Sequence, residues 1–168
     1  MSWEDFVALG RQDEAFVARQ ILSQRGGTVV VASHDEDTKD HVDFWWTKPD
    51  GERVGVDIKG MRKKSRSDPR PDNDITWLEF KNVLGEPGWL YGKAKYFAFR
   101  RLGLTVFVDR LKLVQYAENL VRGKQVVDVR PIVCGIPYTR RKWGRHDVTM
   151  MVRLDDIQSL AEFILPNI

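Results

Sequence analysis

The chain has a single cysteine, Cys134, among its 168 residues. A lone thiol excludes a disulfide framework and a cysteine-based zinc site, and it suits a reducing compartment. Histidine is almost as scarce, with His34, His41 and His146 making up the three in the chain. None pairs with another at helical spacing, so a histidine-rich metal centre has no basis. No Gly-x-Ser-x-Gly elbow, P-loop or dinucleotide fingerprint occurs, which removes the anchoring residues of serine hydrolases, NTPases and Rossmann oxidoreductases. No apolar run approaches bilayer-spanning length, and Met1 to Gly10 lacks the basic start and apolar centre of a secretory signal. The expectation is a soluble, cytoplasmic protein with no membrane partner. No internal repeat or linker interrupts the sequence, and its length suits one domain, residues 1–168, with a proper core. Charged residues are 30%, hydrophobic ones 42%, and the formal net charge is +3. That excess is mild, so any nucleic-acid signal lies in how the charge is clustered.

What the sequence does contain is a stretch from His41 to Gly60 that reads as a β-hairpin. Two runs rich in Val, Ile, Phe and Trp flank Pro49-Asp50-Gly51. Proline pre-sets φ at the first position of a three-residue loop, and glycine takes the left-handed third position. With that loop Lys48 faces Glu52, Trp46 faces Val54, Phe44 faces Val56 and Val42 faces Ile58, giving one apolar face. The other face receives Trp45 opposite Gly55 and Asp43 opposite Asp57, with Lys59 beside His41. Like charges directly across a ladder repel, so this register calls for a cation between the two acids. A divalent metal of the Mg²⁺ or Mn²⁺ type suits two carboxylates, with water and substrate phosphate completing its shell. Lys59 points the same way, placed to hold an attacking water or to offset charge developing on phosphorus.

Asp43 followed by Asp57-Ile58-Lys59 resembles the PD-(D/E)xK nuclease superfamily, with Val42 standing where the family's proline often is. The resemblance implies an α/β fold of the restriction-endonuclease-like kind, a mixed central sheet flanked by helices. It also implies Mg²⁺- or Mn²⁺-dependent hydrolysis of DNA phosphodiesters. The metal ligands would be Asp43, Asp57 and the Ile58 carbonyl, with Lys59 acting on water. Small members resemble Holliday-junction resolvases and phage or mobile-element endonucleases that often work as homodimers. Two other readings stand beside this one: a non-catalytic nucleic-acid-binding module on the same scaffold, and an RNA target in place of DNA.

The remaining segments fill in the scheme. Ser2 to Gln24 reads as a helix stopped by Gly26-Gly27, with an inward stripe of Val7, Gly10, Glu14, Val17 and Ile21. The resemblance makes Glu14 a third acid of the metal site, whereas rotating the stripe to include Phe16 leaves it in solvent. Gly27 to Ser33 reads as a central strand, and HDEDTKD after it as a polar loop. Met61 to Asp74 carries Arg62, Lys63, Lys64, Arg66 and Arg70, a mobile cationic segment suited to backbone phosphates or simply a solvated face. Thr76 to Lys81 is a strand with a rival Glu79-Phe80-Lys81, whose acid and lysine are possible auxiliaries of the site, as is His41. Trp89 and Tyr91, on a turn-rich loop, suit base stacking or the edge of the core. Tyr96–Arg101 and Leu104–Asp109 read as strands and Arg110–Arg122 as a helix. A strand follows within Gln125–Ile136. A second basic tract holds Arg140, Arg141, Lys142 and Arg145 around Trp143, then come a strand over Val148–Arg153 and a helix capped by Asp155 that runs past Ile164.

Overall fold

The computed structural model describes residues 11–64, 67–128, 133–139, 144 and 146–167. The architecture is α/β, with a mixed sheet and helices, and it divides into two compact units interleaved along the chain. One comprises Met1–Met61, Lys93–Asp109 and Ala161–Ile168, the other Arg62–Gly92 and Arg110–Leu160.

The first unit begins with helix α1 (Gln12–Gln24), then strand β1 (Thr28–Val31), helix α2 (His34–Asp40), and strands β2 (Phe44–Thr47) and β3 (Arg53–Lys59). Strands β5 (Tyr96–Arg101), β6 (Leu104–Asp109) and β8 (Phe163–Pro166) complete a six-stranded sheet in the order β1-β2-β3-β5-β6-β8. Only β3 and β5 run parallel; the other neighbours are antiparallel. Helix α1 buries Ala15, Val17, Ala18 and Ile21 against Phe44, Trp46, Val54, Val56, Tyr96, Ala98, Phe107 and Leu165. Phe163 joins this core by stacking on Phe107 with centroids 4.5 Å apart. Gln20, itself buried, accepts from Thr105 Oγ1 at 2.6 Å and donates to the Pro166 carbonyl at 3.2 Å, tying α1 to both β6 and β8.

Three expectations for the chain need correction. The β-branched run after Gly27 is an edge strand, not a central one: it pairs only with β2, and Val30 is exposed. The acidic HDEDTKD segment is a helix rather than a loop. Ser33 Oγ accepts the Glu36 N–H at 3.3 Å while Glu36 Oε2 accepts the Ser33 N–H at 2.7 Å, a capping box that starts the helix despite its polarity. The closing helix stops early. Helix α4 (Leu154–Ser159) has Arg153 rather than Asp155 at its N-cap, and Ile164 lies in β8, paired with Val106.

The second unit holds β4 (Ile75–Lys81), a 3-10 turn (Trp89–Tyr91), helix α3 (Arg110–Val121), β7 (Val148–Arg153) and α4. Its two strands form a separate antiparallel sheet from Ile75↔Arg153 to Lys81↔Val148. The basic excursion after β3 is tied at its base, where the Asp72 N–H donates to the Arg62 carbonyl at 2.9 Å. Of the strand expected within Gln125–Ile136, residues 129–132 lie outside the described residues; the described ones form no strand, and Val127 makes only an isolated parallel bridge to Tyr138.

Candidate metal-binding site on the hairpin

The turn forms as its residues dictate. The Gly51 N–H donates to the Lys48 carbonyl at 2.9 Å with Gly51 at φ 91°, a conformation that costs glycine little. From there the register is the expected one, with Trp46 opposite Val54, Trp45 opposite Gly55 and Phe44 opposite Val56.

Beyond Phe44 the ladder departs from that pattern. The Asp43 N–H donates to the Val56 carbonyl at 2.9 Å, so Asp43 and Phe44 both oppose Val56. Two residues facing one is a β-bulge, a device that re-aims a side chain. Val42 therefore leaves the face of Phe44 and packs with Ala32, Ala94 and Trp45 instead. A Cβ on Gly55 would meet both Val42 methyls at 3.1 Å, which places Val42 on the Gly55 face. The pairings of Val42 with Ile58 and of Asp43 with Asp57 are replaced. His41 is likewise off the ladder: it is the left-handed C-cap of α2 at φ 53°.

The bulge still leaves the acids together. Asp43 Oδ2 accepts the Ile58 N–H at 2.6 Å, filling the position that a regular β2 carbonyl would take. Asp57, on the next strand, is 4% exposed. Its Oδ1 accepts from Lys59 Nζ at 2.7 Å, while its Oδ2 is buried with no hydrogen-bond partner among the described residues. Burial pushes Asp57 up to about 7, with Lys59 opposing and the Asp43 carboxylate adding to the rise. Burial also raises Asp43, against the pull of the Ile58 N–H and Lys59. Glu14, half-buried on the first turn of α1, is raised by desolvation, and Asp43 contributes to that shift. The structure thus brings Glu14, Asp43, Asp57 and Lys59 into one electrostatic neighbourhood.

Four further residues belong to this neighbourhood that the sequence did not flag. Arg11 donates to Asp37 Oδ2 at 2.5 Å and partly offsets the rise that burial imposes on Glu14 and Asp43. Arg100 donates to Asp13, and a Cβ on Gly60 would collide with the same Asp13 carboxylate. The only sequence signal for any of them is the three-residue spacing from Arg11 to Glu14. Asp37 was hidden by reading its helix as a loop, and Arg100 follows from the parallel pairing of β5 beside β3.

An orphaned carboxylate oxygen beside a second buried carboxylate suits a hard cation, since Mg²⁺ is commonly bound through one or two carboxylates plus water and phosphate. Among the described residues no group of three or more His, Cys, Asp or Glu side chains is placed to hold a metal ion.

The other expected residues distribute as follows. Glu79 and Lys81 lie in the second unit, opposite Thr149 and Val148, with no carboxylate across from them. Glu79 Oε1 accepts the Trp89 N–H at 3.4 Å. Tyr91 donates to Glu118 at 3.2 Å and is partly exposed, and Leu90 between the two aromatics is buried. Arg62, Lys63, Lys64 and Arg70 are exposed. Arg66, Arg140, Arg141, Lys142 and Arg145 lie outside the described residues. The chain matches no family model, no curated protein and no solved structure, and the chemistry of its own side chains carries the functional reading.

Proposed function

We propose that the protein is a metal-dependent endodeoxyribonuclease of the PD-(D/E)xK type, with the first unit as a restriction-endonuclease-like catalytic scaffold. The observation that carries this reading is the unsatisfied Oδ2 of buried Asp57, held beside Asp43 and within an ion pair to Lys59. A buried carboxylate oxygen without a donor is costly unless a proton or a cation engages it, and Asp57, raised to about 7, is open to either at neutral pH.

Asp43, Asp57 and the Ile58 carbonyl would hold Mg²⁺ or Mn²⁺, with Glu14 as a further acid. The ion would supply Lewis acidity toward a phosphoryl oxygen and toward water. Lys59, paired with Asp57 Oδ1 at 2.7 Å, would lie beside such an ion, where its ammonium would orient water or offset charge on the phosphoryl group. Burial of Asp43 and Asp57 keeps bulk water from screening these charges. The exposed basic run from Arg62 supplies sequence-independent attraction to the DNA backbone. Branched or junction DNA cut by a homodimer fits the same reading, since two copies provide one site per strand.

Supercoiled plasmid incubated with Mg²⁺, Mn²⁺ or EDTA tests the proposal. Nicking is expected with either metal, none in EDTA, and none for Asp57→Ala or Lys59→Ala at retained DNA affinity. Mn²⁺ binding followed by electron paramagnetic resonance should disappear in Asp57→Ala. Wild-type protein that binds DNA yet never nicks it would leave only a binding module.

A further inference from the structure

The six-stranded sheet ends in β8 on one side and β1 on the other, and the two edges are finished differently. On β8 the Asn167 N–H donates to the Gly103 carbonyl, so by alternation Phe163 and Leu165 bond toward β6 while Ile164 and Pro166 point outward. Pro166 has no N–H to offer, and its carbonyl accepts from Gln20 at 3.2 Å and from Gln24 at 2.8 Å. That edge is blunted against further strands.

The edge at β1 carries no such device. The Lys48 N–H bonds toward β3, so Trp45 and Thr47 face β1, and their partners Val30 and Thr28 bond inward. The Ala32 N–H continues the series onto the Asp43 carbonyl at 3.0 Å. The N–H and C=O groups of Val29 and Val31 therefore point away from the sheet, and they make no hydrogen bond on that side among the described residues. Their side chains pack on the α1 core, so the backbone alone is on offer there. From Gly26 to Ser33 there is neither a charge nor a proline, and Val30 is 50% exposed. Bare backbone in an uncharged, β-branched run is a template for another strand.

A second copy of the chain fits this template. Antiparallel pairing across a two-fold axis presents the same patch twice, and outward-pointing residues must meet outward-pointing residues. Of the registers that satisfy this, the one centred on Val30 covers the exposed side chain. Val29 of one copy then lies opposite Val31 of the other, each such pair exchanging two hydrogen bonds, and Val30 faces Val30 on the axis. That central pair is of the non-hydrogen-bonded kind, in which side chains come closest. Charge favours the same direction. The strand begins just after exposed Arg25 and leads into α2, where Asp35, Glu36, Asp37 and Asp40 outweigh Lys39. Antiparallel pairing sets the basic end of one copy beside the acidic end of the other, whereas parallel pairing would oppose like charges.

We propose that β1 is a homodimer interface that joins two six-stranded sheets edge to edge through Val29, Val30 and Val31. It supplies the interface that the nuclease reading leaves open, and it stands on the strand geometry alone.

Sedimentation equilibrium at micromolar concentrations should show a monomer–dimer equilibrium, a weak one because the contact is short. Val30→Lys sets two ammonium groups against each other on the axis and should weaken dimerisation by roughly tenfold or more, while Val30→Thr should stay within about threefold of wild type. Melting curves confirm that these exposed-site variants are folded. A disulfide tests the register, with Cys134→Ser as background. Val30→Cys places two thiols on a pair whose Cα atoms would be about 4.5 Å apart, within bridging range, and should yield a covalent dimer on mild oxidation. Thr28→Cys, opposite Ala32 in this register, should yield none. A monomeric wild type, a dimer indifferent to Val30→Lys, or equal cross-linking from both cysteine variants overturns the proposal. Plasmid nicking, scored separately, keeps the two readings apart: a β1 dimer that never nicks upholds the interface and sinks the nuclease, and a monomer that nicks does the reverse.

Discussion

The chain carries the acid-x-lysine spacing twice, and the two copies occupy different surroundings. Asp57-Ile58-Lys59 lies in a six-stranded sheet, with its acid buried, a second carboxylate beside it, and its lysine drawn into an ion pair. Glu79-Phe80-Lys81 lies in a two-stranded sheet, with Thr149 and Val148 across from its acid and lysine, and Lys81 exposed. The motif is thus identical in spacing and unlike in chemistry. Burial and the cross-strand neighbour, not the interval between acid and lysine, make a carboxylate reactive.

The comparison breaks most decisively on activity. Under the proposed function, Asp57→Asn and Lys59→Ala should lower metal-dependent nicking by roughly 10³-fold or more. Glu79→Gln and Lys81→Ala should stay within about threefold of wild type. Equal losses at the two motifs, measured by the rate of plasmid nicking, would dissolve the distinction.

Stability against pH gives the next largest contrast. Asp57 is raised from 3.8 to about 7 in the folded state, so the folded chain still holds this proton after the unfolded chain has released it. Across that window the folded state binds more protons, and stability must therefore fall as pH rises, the reverse of the usual paired carboxylate. The raised Asp43 and Glu14 act in the same direction. In EDTA, denaturant midpoints between about pH 5 and pH 8 should reveal a loss on the order of a few kcal/mol. Asp57→Asn should flatten the curve and Glu79→Gln should not. Mg²⁺ should restore stability mainly at the alkaline end, because the ion competes with the proton. A curve that rises with pH would contradict the buried-acid picture.

Two glycines provide the smallest and sharpest test. A Cβ at Gly60 would strike the free end of the Asp13 side chain, whereas a Cβ at Gly88 would strike the Glu79 backbone carbonyl. Side chains yield more readily than backbone. Gly88→Ala should cost about 1–3 kcal/mol by chemical denaturation. Gly60→Ala should cost less, because the Asp13 carboxylate can swing aside. Equal costs at the two positions would remove that contrast.

The parts of this fold that were legible in the sequence are those set by local chemistry. Pro49-Asp50-Gly51 determined the hairpin register as far as Phe44, and the alternating runs marked β5 and β6 to their end residues. Long-range partnership was not legible: nothing local tells β4 that it will pair with β7 instead of joining the larger sheet. The helix over His34–Asp40 was signalled by Ser33-x-x-Glu36, but the high polarity of the segment concealed it. The site was half legible. Asp43, Asp57 and Lys59 follow from the hairpin, whereas Glu14 was named by the family resemblance, its helical stripe leaving it open to either core or solvent. Arg11 and Arg100 emerge only once helix α1 crosses the ends of β3 and β5.

The extra residue at Asp43 also changes how the strand should be understood. Past it, even-numbered positions such as Phe44 and Trp46 look toward the helix; before it, Val42 looks the opposite way. Parity switches there, so Asp43 belongs to neither surface, and its carboxylate lies in the plane of the pleat, at the Ile58 amide. A single-codon deletion just upstream would restore the alternation and swing this acid out of that plane, without disturbing the turn that makes the hairpin recognisable.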